Sequence, residues 1–494
     1  METNDPGALL QDLLELRGEL VAEGRQREER WQLSIEREDI AVSARNLAQY
    51  LALRERDLRD LQTALMPWGL SSLGRLESRV LGNLDAVIAT LGQVAGADPA
   101  TLPGRPSLDD FFAGERLLER NTTEIFGRPH HHRQVRIMVT LPRHAATDYA
   151  LIHDLVDAGA DCFRINCAHD SLRVWEAMIQ NVRRAASEAG RPTRVLMDLG
   201  GQKVRTEEVL VPEDGRRLRA GDRFLLTAGK PSPDREYEFQ ARCGAPEVLG
   251  QLDDGVVVSF DDGKMETVVR RKEGPDVVLE VTRTRPKGGK LRPALGLNVP
   301  GVMLRLDPLT QKDLQDLDFV VAHADIVGFS FVQHGSDMQL LQDQLDARGK
   351  RAMPVMAKIE TTTAVRNLPE IIVQAASRQP FAVMIARGDL AIELGYRRLA
   401  EMQEELLWVC EAARIPVVWA TQVLDQLAKK GAPTRAEITD AAMSGRAECV
   451  MLNKGPAIVE AVTMLDDLLT RMQAHQTKKT PLLRALRAWS TAPD

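Results

Sequence analysis

Two apolar segments of the sequence run directly into charged residues. VMAKIE ends with Lys358 and Glu360, and FAVMIARGD ends with Arg387 and Asp389. A parallel strand that is covered on both faces is normally apolar throughout, so charges at these positions need an explanation. One explanation is surface charge where strands meet solvent. The other is a divalent metal ion held by Glu360 and Asp389, with Lys358 beside it facing an anionic substrate.

The residues within and after these segments carry a family resemblance. Four motifs follow one another over about 80 positions: AKIE, IARGDLAIE, VVWATQVLDQL and PTRAEITD. In this order they resemble the catalytic core of pyruvate kinases. The resemblance extends over residues 135–475. It implies a reaction of phosphoenolpyruvate with ADP that gives pyruvate and ATP.

The resemblance implies roles for several polar residues. Lys358 matches the lysine that contacts the transferred phosphoryl group and the enolate oxygen, and Arg164 matches an arginine that grips the phosphoryl group. Thr421 matches a threonine implicated in proton delivery, for which a cap at the end of a strand is the alternative. Glu360 and Asp389 match the two protein ligands of an essential Mg²⁺, which Mn²⁺ can replace.

Binding of the two substrates is implied in the same way. Gly388 leaves room for backbone N–H groups to approach the substrate carboxylate at the start of a following helix. The expected sets are Gly388, Asp389, Thr421 and Ser330 for phosphoenolpyruvate, and Asn166, His169 and Arg205 for the nucleotide. Ala294 and Leu295 stand where the family has lysines, and NKGPA (453–457) replaces the family's SGETA. These departures affect nucleotide affinity more than the chemistry on phosphoenolpyruvate.

The family's monovalent-cation site is altered in this sequence. Many members bind K⁺ through an asparagine, a serine, an aspartate and a threonine, with a glutamate nearby. Asn166 and Asp198 remain, whereas Ala168, Leu199 and Lys203 replace the serine, the threonine and the glutamate. We therefore expect the ammonium of Lys203, near Asp198, to replace K⁺, so that activity does not require that ion.

Eight apolar segments are spaced so that they can position these residues. They are VRIMVTL, DCFRINCA, RVLMDL, DIVGFSFV, VMAKIE, FAVMIARGD, PVVWATQ and ECVMLNK, and amphipathic helical stretches separate them except after the third. The pattern predicts an α/β fold, a TIM (β/α)8 barrel, with its active site where the strands end. After the third segment, four short strand-like runs predict a small all-β insertion: RFLLTA, GVVVSF, METVVR and VVLEVT. This insertion resembles the lid that covers the nucleotide in pyruvate kinases.

The chain divides into five predicted regions. They are a helical extension (1–95), a linker and lead-in (96–134), the first part of the barrel (135–203), the lid (204–300) and the second part of the barrel with a C-terminal tail (301–494). Leucines spaced by three and four predict helices in the extension, packed on each other or on another chain. We therefore expect a homo-oligomer. Because the chain ends soon after the eighth unit, we expect no C-terminal effector domain.

Composition argues against several classes of partner. Lys and Arg number 64 and Asp and Glu number 71 among 494 residues, giving a net charge of -7, so no basic field favours nucleic acid or an anionic membrane. No window approaches ~18 consecutive apolar residues, and the acidic start does not look like a signal peptide. The five cysteines lack CxxC spacing and are expected to be buried free thiols. These features predict a cytoplasmic protein.

Two rival functions fit part of the pattern. The lost lysines at 294 and 295 favour a catalytically weak or inactive phosphoenolpyruvate-binding regulator, whose helical extension would contact a partner. A metal-dependent lyase or aldolase acting on pyruvate would use a similar pair of carboxylates. The first alternative is opposed by the retained Lys358, Thr421, Glu360 and Asp389. Lys358 and the predicted lid oppose the second.

Overall fold

The computed structural model of the protein describes residues 5–31, 37–71, 73–130 and 132–481. The first residues of the predicted extension (1–4) and most of the predicted tail (482–494) lie outside the described residues. The described chain begins with six helices: α1 (Pro6–Arg30), α2 (Glu38–Arg54), α3 (Arg59–Leu65), α4 (Val80–Val94), α5 (Leu108–Phe111) and α6 (Ala113–Phe126). The predicted N-terminal helices are therefore present. The segment predicted as a linker and lead-in also contains a helix of 14 residues, α6.

The first part of the barrel follows these helices. It consists of β1 (Arg136–Thr140), α7 (Tyr149–Asp157), β2 (Cys162–Asn166), α8 (Leu172–Glu188) and β3 (Arg194–Asp198). Each strand is almost completely buried, as expected of parallel strands covered on both faces.

The lid is a seven-stranded sheet inserted after β3. Its strands are β4 (Thr206–Leu210), β5 (Arg223–Thr227), β6 (Gln240–Cys243), β7 (Val257–Phe260), β8 (Met265–Glu273), β9 (Asp276–Thr284) and β10 (Leu297–Asn298). They are ordered β10-β7-β8-β9-β5-β6-β4 and have a hydrophobic cluster of their own. The lid therefore has a separate small core.

The second part of the barrel returns to alternating helices and strands. It consists of α9 (Gln311–His323), β11 (Ile326–Phe329), α10 (Gly335–Ala347), β12 (Val355–Ile359), α11 (Thr362–Arg366), α12 (Leu368–Ala376), β13 (Phe381–Ala386), α13 (Arg387–Leu394), α14 (Tyr396–Ala412), β14 (Val417–Val423), α15 (Asp425–Lys430), α16 (Arg435–Ser444), β15 (Cys449–Leu452) and α17 (Ile458–Met472). Eight parallel strands close in the order β1-β15-β14-β13-β12-β11-β3-β2. The predicted TIM barrel with an inserted lid is confirmed.

The helical extension packs against the barrel instead of standing apart from it. Leu13, Leu47 and Leu84 are fully buried in the same hydrophobic cluster as residues of the barrel. Asn46 on α2 connects the two parts, because its amide nitrogen donates to the carbonyl of Ala412 at 2.8 Å as well as to a carbonyl within the extension. The leucine stripes of the extension therefore have partners within this chain.

The end of α6 closes the bottom of the barrel. Ile125 and Phe126 are buried in one cluster with Cys162, Ile326 and Cys449, each of which begins a barrel strand. The lower opening is therefore filled with apolar side chains, and polar residues at the other end of the strands are left to form a site.

A short hairpin joins the barrel to the extension from below. It is formed by β16 (Gln476–Thr477) and β17 (Thr480–Pro481), and its turn places Lys478 on Glu448 and Lys479 on Glu77 of the extension. Burial raises the pKa of the nearby Glu411 to about 7, against a weaker opposing effect of Lys478.

Among the described residues, no helix combines the length and apolar character needed to cross a membrane. The five cysteines are buried and free, as predicted.

Candidate active site

The polar residues predicted at strand ends come together on one rim of the barrel. Parallel strands in a barrel all point the same way, so their carboxyl ends form a single rim. The rim carries Arg164 (β2), Asp198 (β3), Ser330 (after β11), Lys358 (β12), Glu360 (after β12), Asp389 (α13, after β13) and Thr421 (β14). Charged side chains in such a place are available to a ligand above the barrel.

Lys358 lies at the centre of this group. Its ammonium is 2.9 Å from the hydroxyl of Ser330, 3.1 Å from a carboxylate oxygen of Glu360 and 3.3 Å from one of Asp198. Burial alone would lower the pKa of Lys358, but the two carboxylates outweigh it and raise the pKa. The ammonium therefore stays charged at neutral pH although the residue is buried, with only 9% of its surface exposed.

Arg164 contacts the same aspartate from the neighbouring strand. Its Nε is 3.0 Å from Oδ2 of Asp198, and its Nη1 is 3.2 Å from the hydroxyl of Thr140. Burial of Asp198 opposes ionisation, yet the positive charges of Lys358 and Arg164 lower its pKa. Asp198 is therefore an anion that holds two cations in fixed positions.

The chemistry of Glu360 and Asp389 fits a divalent cation. Glu360 accepts a hydrogen bond from the backbone N–H of Phe331 at 2.7 Å. Burial raises the pKa of Glu360, Lys358 opposes the shift, and the negative charge of Asp389 adds to it. Two carboxylates that repel each other are stabilised by a cation between them, and two carboxylates with substrate oxygens and water are a ligand set typical of Mg²⁺. Residues 5–31, 37–71, 73–130 and 132–481 contain no cluster of three or more His, Cys, Asp or Glu able to hold a metal.

Lys203 contacts Asp389 from the side of the lid. Its ammonium is 2.8 Å from Oδ1 of Asp389 and 3.2 Å from Oδ1 of Asp262 in the lid. The side-chain amide of Asn298 donates to the same oxygen of Asp389 at 3.2 Å. Lys203 and Asp198, expected together at the monovalent-cation position, have different partners in the structure: Asp198 is contacted by Lys358 and Arg164, and Lys203 by Asp389 and Asp262.

Thr421 lies in a strained turn near the end of β14. Its φ is +68°, and the φ angles of Gln422 and Leu424 are also positive, at 57° and 48°. A β-branched residue rarely adopts this conformation, so surrounding contacts must hold it. The hydroxyl of Thr421 accepts a hydrogen bond from the backbone N–H of Gly388 at 2.9 Å. The candidate for proton delivery is thus fixed to the start of α13.

Comparison with known proteins agrees with this geometry. The family model described as "Pyruvate kinase, barrel domain" matches residues 132–459. The chain belongs to the pyruvate kinase family. It is 33% identical over 341 residues to a pyruvate kinase of Mycobacterium tuberculosis, covering 67% of this chain and 69% of the relative. It is 32% identical over 349 residues to pyruvate kinase 2 of Synechocystis sp., covering 69% of this chain but only 57% of that relative's length.

The residues expected on the nucleotide in a pyruvate kinase lie beside a group of cations. Burial lowers the pKa of His169, and the positive charges of Lys454 and Arg205 lower it further. Arg205 also lines a cavity of about 840 Å³ between the lid and the barrel. Asn166 accepts a hydrogen bond from the backbone N–H of Ala168 at 3.0 Å. This side of the rim is therefore suited to phosphates.

Arg387 positions the strained turn, a role that its motif alone did not suggest. Its guanidinium donates to the carbonyl oxygens of Ala420 at 2.9 Å and Thr421 at 2.5 Å. It forms a bidentate ion pair with Asp440, and its Cζ lies 4.7 Å from the centre of the ring of Trp419. Arg387 and Asp440 belong to the motifs IARGD and PTRAEITD of the pyruvate kinase pattern. The motifs therefore contained both residues but did not indicate the ion pair between them.

Lys454 and Glu393 are two further residues that the sequence analysis did not assign to the site. Lys454 is in NKGPA, a segment that departs from the pyruvate kinase pattern, and only its proximity to His169 indicates a role. Glu393 follows Asp389 by one turn of α13. Burial, and then the charge of Asp389, raise the pKa of Glu393 to about 7. Both residues could be assigned to the site only from their neighbours in the folded structure.

Proposed function

We propose that this protein transfers the phosphoryl group of phosphoenolpyruvate to ADP, with Mg²⁺ as cofactor. The observation that carries the proposal is the buried, charged ammonium of Lys358 between Asp198 and Glu360 on the rim of the barrel. Phosphoenolpyruvate combines a carboxylate, a phosphate and a developing enolate. Its enzyme must stabilise all three, and cations in fixed positions do so best. Membership of the pyruvate kinase family supports this assignment.

In this reaction each cation stabilises a different part of the substrate. Lys358 contacts the phosphoryl group in transfer and the enolate oxygen that it leaves. Arg164 binds the phosphoryl oxygens, because its planar guanidinium matches their geometry. Glu360 and Asp389 would hold a Mg²⁺ ion, which would supply further positive charge to the anionic substrate. The carboxylate of Asp198 keeps Lys358 and Arg164 aligned throughout.

Thr421 delivers the proton that converts the enolate to pyruvate. Its oxygen already accepts a hydrogen bond from Gly388, so its own O–H remains able to donate. The proton moves from this hydroxyl to the methylene carbon of the enolate, and solvent returns a proton to the oxygen. Arg387 holds the strained backbone and so fixes the direction of the hydroxyl.

The proposed enzyme does not require K⁺. Lys203 brings a tethered positive charge to the site, and Ala168 and Leu199 offer no side-chain oxygen to the ion. We expect equal rates in sodium, potassium and tetramethylammonium salts, and strong activation by K⁺ would contradict this part of the proposal. Lys203→Glu places a negative charge beside Asp389. We expect a severe loss of activity that K⁺ restores only in part.

The function is tested by measuring pyruvate formed from phosphoenolpyruvate, with and without ADP and with and without Mg²⁺. We expect pyruvate only when both are present, with ATP formed in equal amount. Glu360→Gln keeps the shape of the side chain but removes a proposed Mg²⁺ ligand, so this variant should form little pyruvate even when Mg²⁺ is present. Pyruvate formed without ADP would favour a lyase or a phosphatase and would contradict the proposal.

One observation favours a second candidate, a phosphoenolpyruvate-binding regulator. Leu295 stands where the family has a lysine and is 2% exposed in the core of the lid, so the lid offers no cation to the nucleotide at this position. If this candidate were right, calorimetry would detect phosphoenolpyruvate binding that depends on Lys358, while no pyruvate would form at any concentration of ADP. Measurable formation of pyruvate would rule out the regulator.

A further inference from the structure

One ammonium connects the lid to the carboxylate proposed as a metal ligand. Lys203 lies where the chain leaves β3 for the lid, and its Nζ contacts Oδ1 of Asp389 at 2.8 Å and Oδ1 of Asp262 at 3.2 Å. The Lys203 side chain is 15% exposed. The Asp389 side chain is 19% exposed, so little solvent screens its contact with the ammonium, whereas Asp262 is 61% exposed and its contact is closer to a surface ion pair.

Asp262 belongs to the tight turn between β7 and β8, at the tip of the lid. Asp261 and Asp262 both have a φ of 52°, a left-handed conformation that aspartate tolerates better than most residues. A Cβ placed on Gly263, the next residue, would lie at an ordinary contact distance of 3.8 Å from Ile392 on α13. The tip of the lid therefore rests on the helix that carries Asp389.

Both connections of the lid to the barrel converge on the same oxygen. Asn298, where the chain returns from the lid, donates to Oδ1 of Asp389 at 3.2 Å. Gly296 leaves space for the stem of Lys203, because a Cβ there would be only 2.7 Å from the lysine Cε. Lys203 is thus confined by both connecting segments and aimed at Asp389.

We propose that Lys203 is a latch that holds the tip of the lid to Asp389 and is displaced from that carboxylate by the divalent cation. The inference rests on the proposed function, in which Asp389 binds the cation. Two positive charges compete for one carboxylate, so binding of the cation weakens the contact with the ammonium. The coupling is reciprocal, and a docked lid weakens binding of the cation. Cation binding therefore loosens the tip of the lid before the substrates arrive.

The first test measures Mn²⁺ binding to the full-length protein by electron paramagnetic resonance, without phosphoenolpyruvate or nucleotide. Lys203→Met removes the competitor, so we expect Mn²⁺ to bind about tenfold more tightly than to the wild type. Lys264→Met is the matched control, because Lys264 lies in the same lid turn but pairs with Asp261. The control should change Mn²⁺ affinity less than twofold. Equal or weaker binding to the Lys203 variant would overturn the latch.

The second test measures hydrogen exchange of residues 257–268 at the tip of the lid. In the wild type, Mn²⁺ should speed this exchange; in Lys203→Met the exchange should already be fast and insensitive to Mn²⁺. Asp262→Asn should give the same fast exchange and, through the reciprocal coupling, should tighten Mn²⁺ binding by less than Lys203→Met does, because Lys203 still contacts Asp389. A wild-type exchange rate that Mn²⁺ does not change would overturn the proposal.

Glu360→Gln separates failure of the latch from failure of the proposed function. This variant should lose most Mn²⁺ affinity if the metal site is assigned correctly. Unchanged Mn²⁺ affinity in the Glu360 variant would contradict the metal site itself, and the latch with it. Lost affinity in that variant, combined with no gain in Lys203→Met, would contradict the latch alone.

Discussion

Replacing Lys358 by methionine removes the charge on which the proposed reaction depends. Methionine keeps much of the apolar stem but takes away the ammonium that lies 3.3 Å from Asp198 and 3.1 Å from Glu360. A preorganised charge aimed at a transition state contributes about 3–4 kcal/mol, so kcat should fall by roughly 10²–10³-fold. Because the ammonium acts on the phosphoryl group in transfer, the loss should appear in kcat more than in KM.

The same substitution should affect stability less than catalysis. Breaking a buried ion pair can cost ~3–5 kcal/mol when a charge is left without compensation. Here Asp198 keeps Arg164, and burial has already raised the pKa of Glu360, so Glu360 can take up a proton. We therefore expect the free energy of unfolding to fall by about 2 kcal/mol at pH 8 and by less at pH 5.

Urea unfolding at both pH values and the coupled pyruvate assay together decide this prediction. Lys272→Met is the control, because it removes a lysine that pairs with Asp253 at 3.1 Å, at the end of β8 opposite the turn that contacts α13. The control should keep wild-type kcat. A loss of less than tenfold in the Lys358 variant, with cooperative unfolding intact, would refute the assigned role.

Three further substitutions test the surroundings of the site. Arg387→Lys keeps the charge but loses the planar guanidinium that holds Thr421. The kcat should therefore fall at least about tenfold at unchanged KM in the coupled assay. An unchanged kcat would contradict the positioning role of Arg387. Burial raises the folded pKa of Glu411 to about 7 from an ordinary 4.5, so its ionisation destabilises the wild type as pH rises through that window. Glu411→Gln should therefore be more stable by about 2 kcal/mol at pH 8 and equal near pH 4 in urea titrations, and equal stability at pH 8 would contradict this. Asn46→Ala leaves two buried carbonyls unpaired and should lower the free energy of unfolding by about 2–3 kcal/mol while sparing kcat; a cost under ~0.5 kcal/mol would show that the extension is not integral.

The barrel was predictable because its strands are buried on both faces. Such strands are continuous apolar runs, and each of the eight runs contains one barrel strand. The lid was only partly predictable. Its strands of mixed exposure, such as β4 (Thr206–Leu210), and its two-residue strand β10 (Leu297–Asn298) have no clear apolar pattern. Their place is set by pairing with distant strands, which periodicity does not reveal.

The contacts of the site were less predictable than its residues. The motifs gave the side chains on the rim, but the partner of Lys203 depends on how the lid sits on α13. The sequence placed Lys203 and Asp198 at one altered cation position but did not indicate that the ammonium of Lys203 contacts Asp389. The role of α6 in closing the barrel was hidden for a similar reason, since Phe126 is buried by strands that follow it in the chain. The expected homo-oligomer stays a prediction.

The arrangement of charge on the rim gives an independent reason to place a divalent cation there. Along the rim, cations and carboxylates alternate through close contacts in the order Arg164, Asp198, Lys358, Glu360, and again as Asp389, Lys203, Asp262. Where both partners are buried, each alternating contact offsets the cost of burying its two charges. The alternation breaks between Glu360 and Asp389, where two carboxylates are neighbours and the repulsion adds to the raised pKa of Glu360. A cation with two positive charges at this break would continue the alternation and present its remaining ligand positions to an anionic substrate, which is the chemistry that phosphoryl transfer requires.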